Sequence, residues 1–145
     1  MRCAPIFLLS VLSAPAVLAA QESARERCPW QGPEPATIGI LRLLCRGGSC
    51  SINLEEDGGL AHRFSTEPVI QELAADAPAE LAEGDVIVQV DGALITTREG
   101  GRRLARLRVE TPITLRLRRG GREFDARPTP RPGCGTGGLS VRVPG

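Results

Sequence analysis

Gly84-Asp85-Val86-Ile87-Val88-Gln89-Val90-Asp91-Gly92 is the stretch on which the fold turns. Gly84 suits a left-handed exit from whatever precedes it, and Asp85 suits a turn in which a carboxylate accepts backbone hydrogen bonds. The β-branched run Val86 to Val90 predicts a short buried strand, closed by the tight turn Asp91-Gly92. Just upstream, Ala77-Pro78-Ala79-Glu80-Leu81-Ala82 predicts a single helical turn capped by Asp76, with proline near its start. Downstream, Thr97 caps a helix predicted from Arg98 to about Arg108, with Glu99 in its first turn and Leu104 and Leu107 on one face. Pro112 stops it, Ile113 to Arg118 alternates with period two, Gly120-Gly121 turns, and Arg122 to Arg127 returns as the second strand of a hairpin.

Further towards the N-terminus, the apolar run Ile38 to Cys45 predicts a strand, Arg46-Gly47-Gly48-Ser49 a turn, and Cys50 to Leu54 a second strand, so that the two form a hairpin. Glu55-Glu56-Asp57-Gly58-Gly59 is a charged, glycine-ended loop. Ala61 to Ser65 follows, and then Pro68 to Leu73, whose apolar positions suit a strand. Pro128 to Gly138 is rich in proline and glycine, and Leu139 to Val143 is expected either to add an edge strand or to stay loose. No internal repeat is present.

The chain has 145 residues. A single positive charge at Arg2, the apolar run Ile6 to Leu12 and the small residues Ala14 to Ala20 read as a cleaved signal peptide, since the run is too short to span a bilayer. Cys3 precedes that run, so it is not placed as a lipoprotein cysteine, and a soluble exported product is expected, periplasmic or extracellular, with no stable membrane anchor. The expected organisation is a signal peptide at 1–20, a flexible leader at 21–36 with three prolines around Trp30, a domain at 37–127 and a tail at 128–145. A mature chain of about 125 residues has room for one modest core and no second catalytic domain. All 18 basic residues are arginine, a bias of GC-rich bacterial genomes. The net charge of +1 does not suggest nucleic acid as a partner.

Cys28, Cys45, Cys50 and Cys134 form an even set in an oxidising compartment, which reads as two disulfides with three possible connectivities. The turn-forming tetrapeptide between them favours Cys45 with Cys50, leaving Cys28 with Cys134. A zinc site is the rival, but Cys-x4-Cys lacks zinc-knuckle spacing and His62 is the only histidine. No metal or other cofactor is expected.

The order of Ala77-Pro78-Ala79, Gly84 to Gly92, a helix, and Leu115-Arg116-Leu117-Arg118-Arg119-Gly120-Gly121 resembles the PDZ domain family, in particular its bacterial exported type, as attached to high-temperature-requirement proteases but here without the protease. The resemblance covers roughly Thr37 to Arg127, with Cys45 to Ser65 as a lengthened region. It implies an α+β fold, a small, partly open barrel or sandwich of five or six strands with one short helix and one longer groove helix. Thr37-Ile38-Gly39-Ile40 is similar to the loop that holds a peptide's terminal carboxylate on backbone amides. Ile38, Ile40 and Leu104 would then line the pocket for the last side chain, and Leu41, Arg42, Arg98 and Gly101 the rest of the groove. Two features depart from the pattern. Gly100-Gly101 cost a helix interior roughly 1 kcal/mol each relative to alanine, and strict alternation aims Arg42 into the groove unless a bulge corrects the register.

Catalysis finds little support in the residues. There is no Gly-x-Ser-x-Gly elbow, His62 is read as a solvated histidine without a nucleophile beside it, Asp91-Gly92 lacks the Asp-Thr/Ser-Gly of an aspartic protease, and Cys45 and Cys50 lack the Cys-x-x-Cys of thioredoxin-like proteins. The expectation is therefore a non-enzymatic module that captures protein C-termini or extended peptides by strand addition. The alternative is an envelope assembly or interaction domain whose groove is self-occupied, by the proline-rich tail or by the Leu139 to Val143 strand. Whether the edge from Ile40 to Leu44 is free separates the two.

Overall fold

The computed structural model describes residues 28, 34–136 and 138–142. The expected signal peptide, most of the leader and Val143 lie outside the described residues. Strands β1 (Ala36–Thr37), β2 (Ile40–Arg46), β3 (Cys50–Leu54), β4 (Leu60–Phe64), β5 (Val69–Leu73), β6 (Val86–Val90) and β7 (Ala93–Leu94) precede helix α1 (Arg98–Ala105). Strands β8 (Leu115–Arg119), β9 (Arg122–Ala126), β10 (Arg131–Pro132) and β11 (Gly138–Arg142) follow it. The main sheet runs β11-β2-β5-β6-β8-β9, with β7 added to β6, and two small sheets pair β1 with β10 and β3 with β4. It stays open between its ends, β11 and β9, instead of closing towards a barrel.

The deciding stretch folds as its residues dictate. Val86 to Val90 is a strand inside the sheet, and Ile87 and Val90 are fully buried. A register shift between Ile87 and Gln89 lets Val88 turn inwards as well. Asp85 accepts from the Ala82 amide at 2.9 Å and forms a two-point ion pair with Arg119 at 2.6 and 2.8 Å. A fully buried carboxylate is tolerable only with such partners. Leu115 and Leu117 face the core from β8, while Arg116 pairs with Asp125 and Arg118 with Glu67 on the other face.

Three expectations are corrected. The short helix at 77–82 is a pair of i→i+3 turns, Ala77 N to Ala74 O and Leu81 N to Pro78 O. The next donors are drawn elsewhere, Ala82 N to Asp85 and Gly84 N to Ile70 O, so no helical ladder propagates. The hairpin partner of β3 is β4 and not β2, which pairs with β5 on one side and β11 on the other. The Cys45–Cys50 disulfide joins β2 to this displaced hairpin, at a Cα separation of 6.2 Å. Finally, α1 ends at Ala105, short of Arg108; Leu107 packs against the core, and Glu110 takes a left-handed φ of 61° while donating its amide to Pro130 O.

The segment after Arg127 belongs to the fold. Beyond the strand pairs β1–β10 and β2–β11, Cys134 is bonded to the buried Cys28 at a Cα separation of 5.6 Å.

Candidate functional site: a strand-receiving edge and what fills it

The site expected from the sequence lies between β2 and α1. At its head, Thr37, Ile38, Gly39 and Ile40 are all buried. Gly39 has a φ of 83°, and a Cβ there would come within 2.9 Å of the Ala77 side chain, so glycine is needed for both backbone and space. Its amide donates to Thr37 Oγ1 at 2.9 Å, and its carbonyl accepts from Ala74 N at 2.8 Å. The Gly39 amide of the loop expected to hold a carboxylate is therefore already bonded within that loop.

The groove residues divide. Leu104 is buried in the core with Ile38 and Ile40. Leu41 is 43% exposed, and Arg42 beside it points to solvent, 3.6 Å from Glu72 on β5. The bulge that strict alternation called for is present, with register shifts on both sides of Arg42, and it turns the arginine out of the groove. Arg98 is 66% exposed and reaches Glu55 at 3.1 Å.

Gly100 and Gly101 answer to packing. A Cβ on Gly101 would lie 1.9 Å from His62 O, and one on Gly100 2.1 Å from Leu94 O. The missing side chains let β4 and β7 lie directly against the helix, which offsets the propensity cost. As a result the β3–β4 hairpin covers α1. Its turn is locked by ion pairs, because the Glu55 carboxylate, 5% exposed, meets Arg63 at 2.6 Å, Arg106 at 2.9 Å, Arg102 at 3.0 Å and Arg98 at 3.1 Å. Asp57 adds Arg106 at 2.6 Å, and that hydrogen bond, with one from the Gly59 amide, lowers its pKa to about 2.

His62 is 3% exposed, which corrects the solvated reading. Its ring stacks on Phe64 with centroids 5.6 Å apart. Nε2 lies 3.1 Å from Thr136 O, so that nitrogen carries the proton and donates it, while Nδ1 is buried without a partner. Thr136 also donates its hydroxyl to Ile40 O at 3.0 Å, at the mouth of the expected groove. From there the chain runs into β11, which pairs parallel with β2 from Gly138 opposite Arg42 to Arg142 opposite Arg46, and Leu139 packs against the core. The edge from Ile40 to Leu44 is occupied by the protein's own C-terminal segment.

No family model matches the sequence, and no curated protein matches it. Among solved structures, the HtrA-type protease AlgW with a decapeptide aligns at 19% identity with a TM-score of 0.43, over 79% of this chain and 33% of its own. This chain thus spans about a third of that protease's length, and a likeness of this size assigns neither family nor function.

Among the described residues, no group of His, Cys, Asp or Glu is arranged to hold a metal ion, and no helix is long and apolar enough to cross a membrane. An open depression of about 450 Å³, lined by Gln89, Asp91, Gly92, Thr114, Arg116 and Asp125, lies apart from the β2 edge. Its charged side chains are already tied up: Arg116 bonds Asp125, and Asp91 bonds the Thr114 amide at 2.7 Å.

Sequence reasoning missed Glu55, His62 and Thr136 as parts of one site, whereas the Leu139 strand, offered as one occupant of the edge, lies along β2. A signal for the first was present, since Arg98, Arg102 and Arg106 recur every four residues on one helix face and the acidic run Glu55-Glu56-Asp57 is its natural counterpart.

Proposed function

We propose that this protein is an exported, non-enzymatic protein-interaction domain that accepts an extended segment by strand addition at the β2 edge, and that its own C-terminal strand holds this edge closed at rest. The parallel pairing of β11 with β2 carries the reading. A sheet edge offers unpaired amides and carbonyls in a fixed row, and the segment laid on it gains main-chain hydrogen bonds whatever its sequence. Two disulfides fit the oxidising compartment that the N-terminal sequence suggests. The PDZ-like order of elements supports an edge beside α1 as the receiving site, and the buried Gly39 loop favours the self-occupied form over capture of a free C-terminus. The same domain with a permanently closed edge would serve in assembly through other surfaces.

Replacing Leu139 by aspartate tests the reading. It puts a charge where β11 packs on the core, and the strand should leave the edge. A display library of extended peptides should then yield micromolar binders to Leu139→Asp that the unaltered chain lacks. A library that yields none for either protein assigns the closed, assembly-type role instead.

A further inference from the structure

Accepting that the β2 edge exchanges its occupant, the contacts made by the present occupant specify what the edge reads. Two anchors hold it. Thr136 donates its hydroxyl to Ile40 O and accepts from His62 Nε2 on its carbonyl, and Leu139, three positions on, packs against the core opposite Leu43. Neither anchor uses a chain end: the segment enters from Cys134, which is fixed to Cys28, and leaves along β2 through Arg142. The loop that would greet a carboxylate is buried, and its Gly39 amide is taken by Thr37.

We infer that the β2 edge receives an internal extended segment of a protein partner, laid parallel to β2 and recognised by a hydroxyl residue three positions before an aliphatic one, independently of any free terminus. The hydroxyl supplies a donor that Ile40 O otherwise lacks on that side. The partner's carbonyl at the same residue satisfies the buried His62 N–H, and the aliphatic side chain fills the space held by Leu139. A partner lacking either anchor leaves a buried polar group unpaired or a hollow in the core, and each is costly enough to select against it. The resident segment competes with the advantage of its tether. Cys134 lies two residues before Thr136, so the tail presents itself at an effective concentration on the order of millimolar. Partners binding at micromolar strength are excluded until the tail is displaced.

The test uses the full chain and the peptide acetyl-Thr-Gly-Gly-Leu-Ser-Val-Arg-amide, which copies residues 136–142 with both ends blocked. The receiving protein carries Thr136→Val and Leu139→Asp. Hydrogen exchange first establishes that the β2 amides facing β11 have lost protection while those facing β5, and those of β6 and β8, keep theirs. Expected are micromolar binding to this variant, binding to the unaltered chain weaker by at least about tenfold, and a loss of about tenfold or more when the peptide's threonine becomes valine or its leucine aspartate. A free carboxylate in place of the amide should leave affinity unchanged. Failure of the blocked peptide to bind an exposed edge overturns the inference, as does tighter binding of the free-carboxylate peptide. Protection that survives in the variant at the β2 amides facing β11 overturns the strand-exchange reading itself, and this inference with it.

Discussion

His62 holds one ring nitrogen satisfied and the other not, and this asymmetry sets how it responds to acid. Burial pushes its pKa below the ordinary 6.5, against the smaller opposing effect of the Thr136 carbonyl. The unfolded chain therefore takes up a proton at a higher pH than the folded one. Stability is fully present above about pH 6.5 and is lost as pH falls from there towards the folded pKa. The melting temperature should drop between pH 7.5 and 5.5, a window above the carboxylate range, and His62→Gln should flatten that slope. An equal slope in both proteins would contradict the assignment. The histidine looked solvated from its neighbours in sequence because what covers it is remote: Thr136 lies 74 positions away and Gly101 sits on another element. Asp85 was legible as a turn acceptor from local spacing, whereas its ion pair with Arg119, 34 positions on, was not.

At the scale of elements, strands written by their own periodicity were read correctly, and the partner of β3 was not. Cys50 to Leu54, Val86 to Val90 and the β8–β9 hairpin appear where alternation and glycine turns placed them. The β2–β3 hairpin failed because a turn of four residues permits pairing without requiring it, and β4 offers β3 a continuous five-residue register while β2 is claimed on both edges. The β3–β4 hairpin in turn depends on Glu55. Its four guanidinium partners repel one another once that charge is gone, and neutralising one member of a buried ion cluster costs about 3–5 kcal/mol. These arginines are about a third exposed or more, so the loss from Glu55→Gln should be smaller, about 1–3 kcal/mol. Hydrogen exchange should show faster opening of β3 and β4 with β6 and β8 unchanged; uniform acceleration would mean that the hairpin is not a separate unit.

For the whole molecule, the Cys28–Cys134 disulfide makes the tail part of the domain. It spans 106 positions, and on the chain-entropy model such a closure stabilises by about 4–5 kcal/mol. The double variant Cys28→Ser, Cys134→Ser should lower the urea midpoint by an amount equivalent to about 2–5 kcal/mol, and an unchanged midpoint would show the crosslink to be ornamental. The same geometry has a temporal side. Thr136 lies 96 positions after Ile40, so a ribosome delivers β2, β5, β6 and α1 well before it delivers the strand that seals them. Contacts of such sequence separation form late, because the intervening loop must be closed before they reward it. Each newly made molecule thus passes through an interval in which its β2 edge is bare, the period of greatest exposure to stray strands.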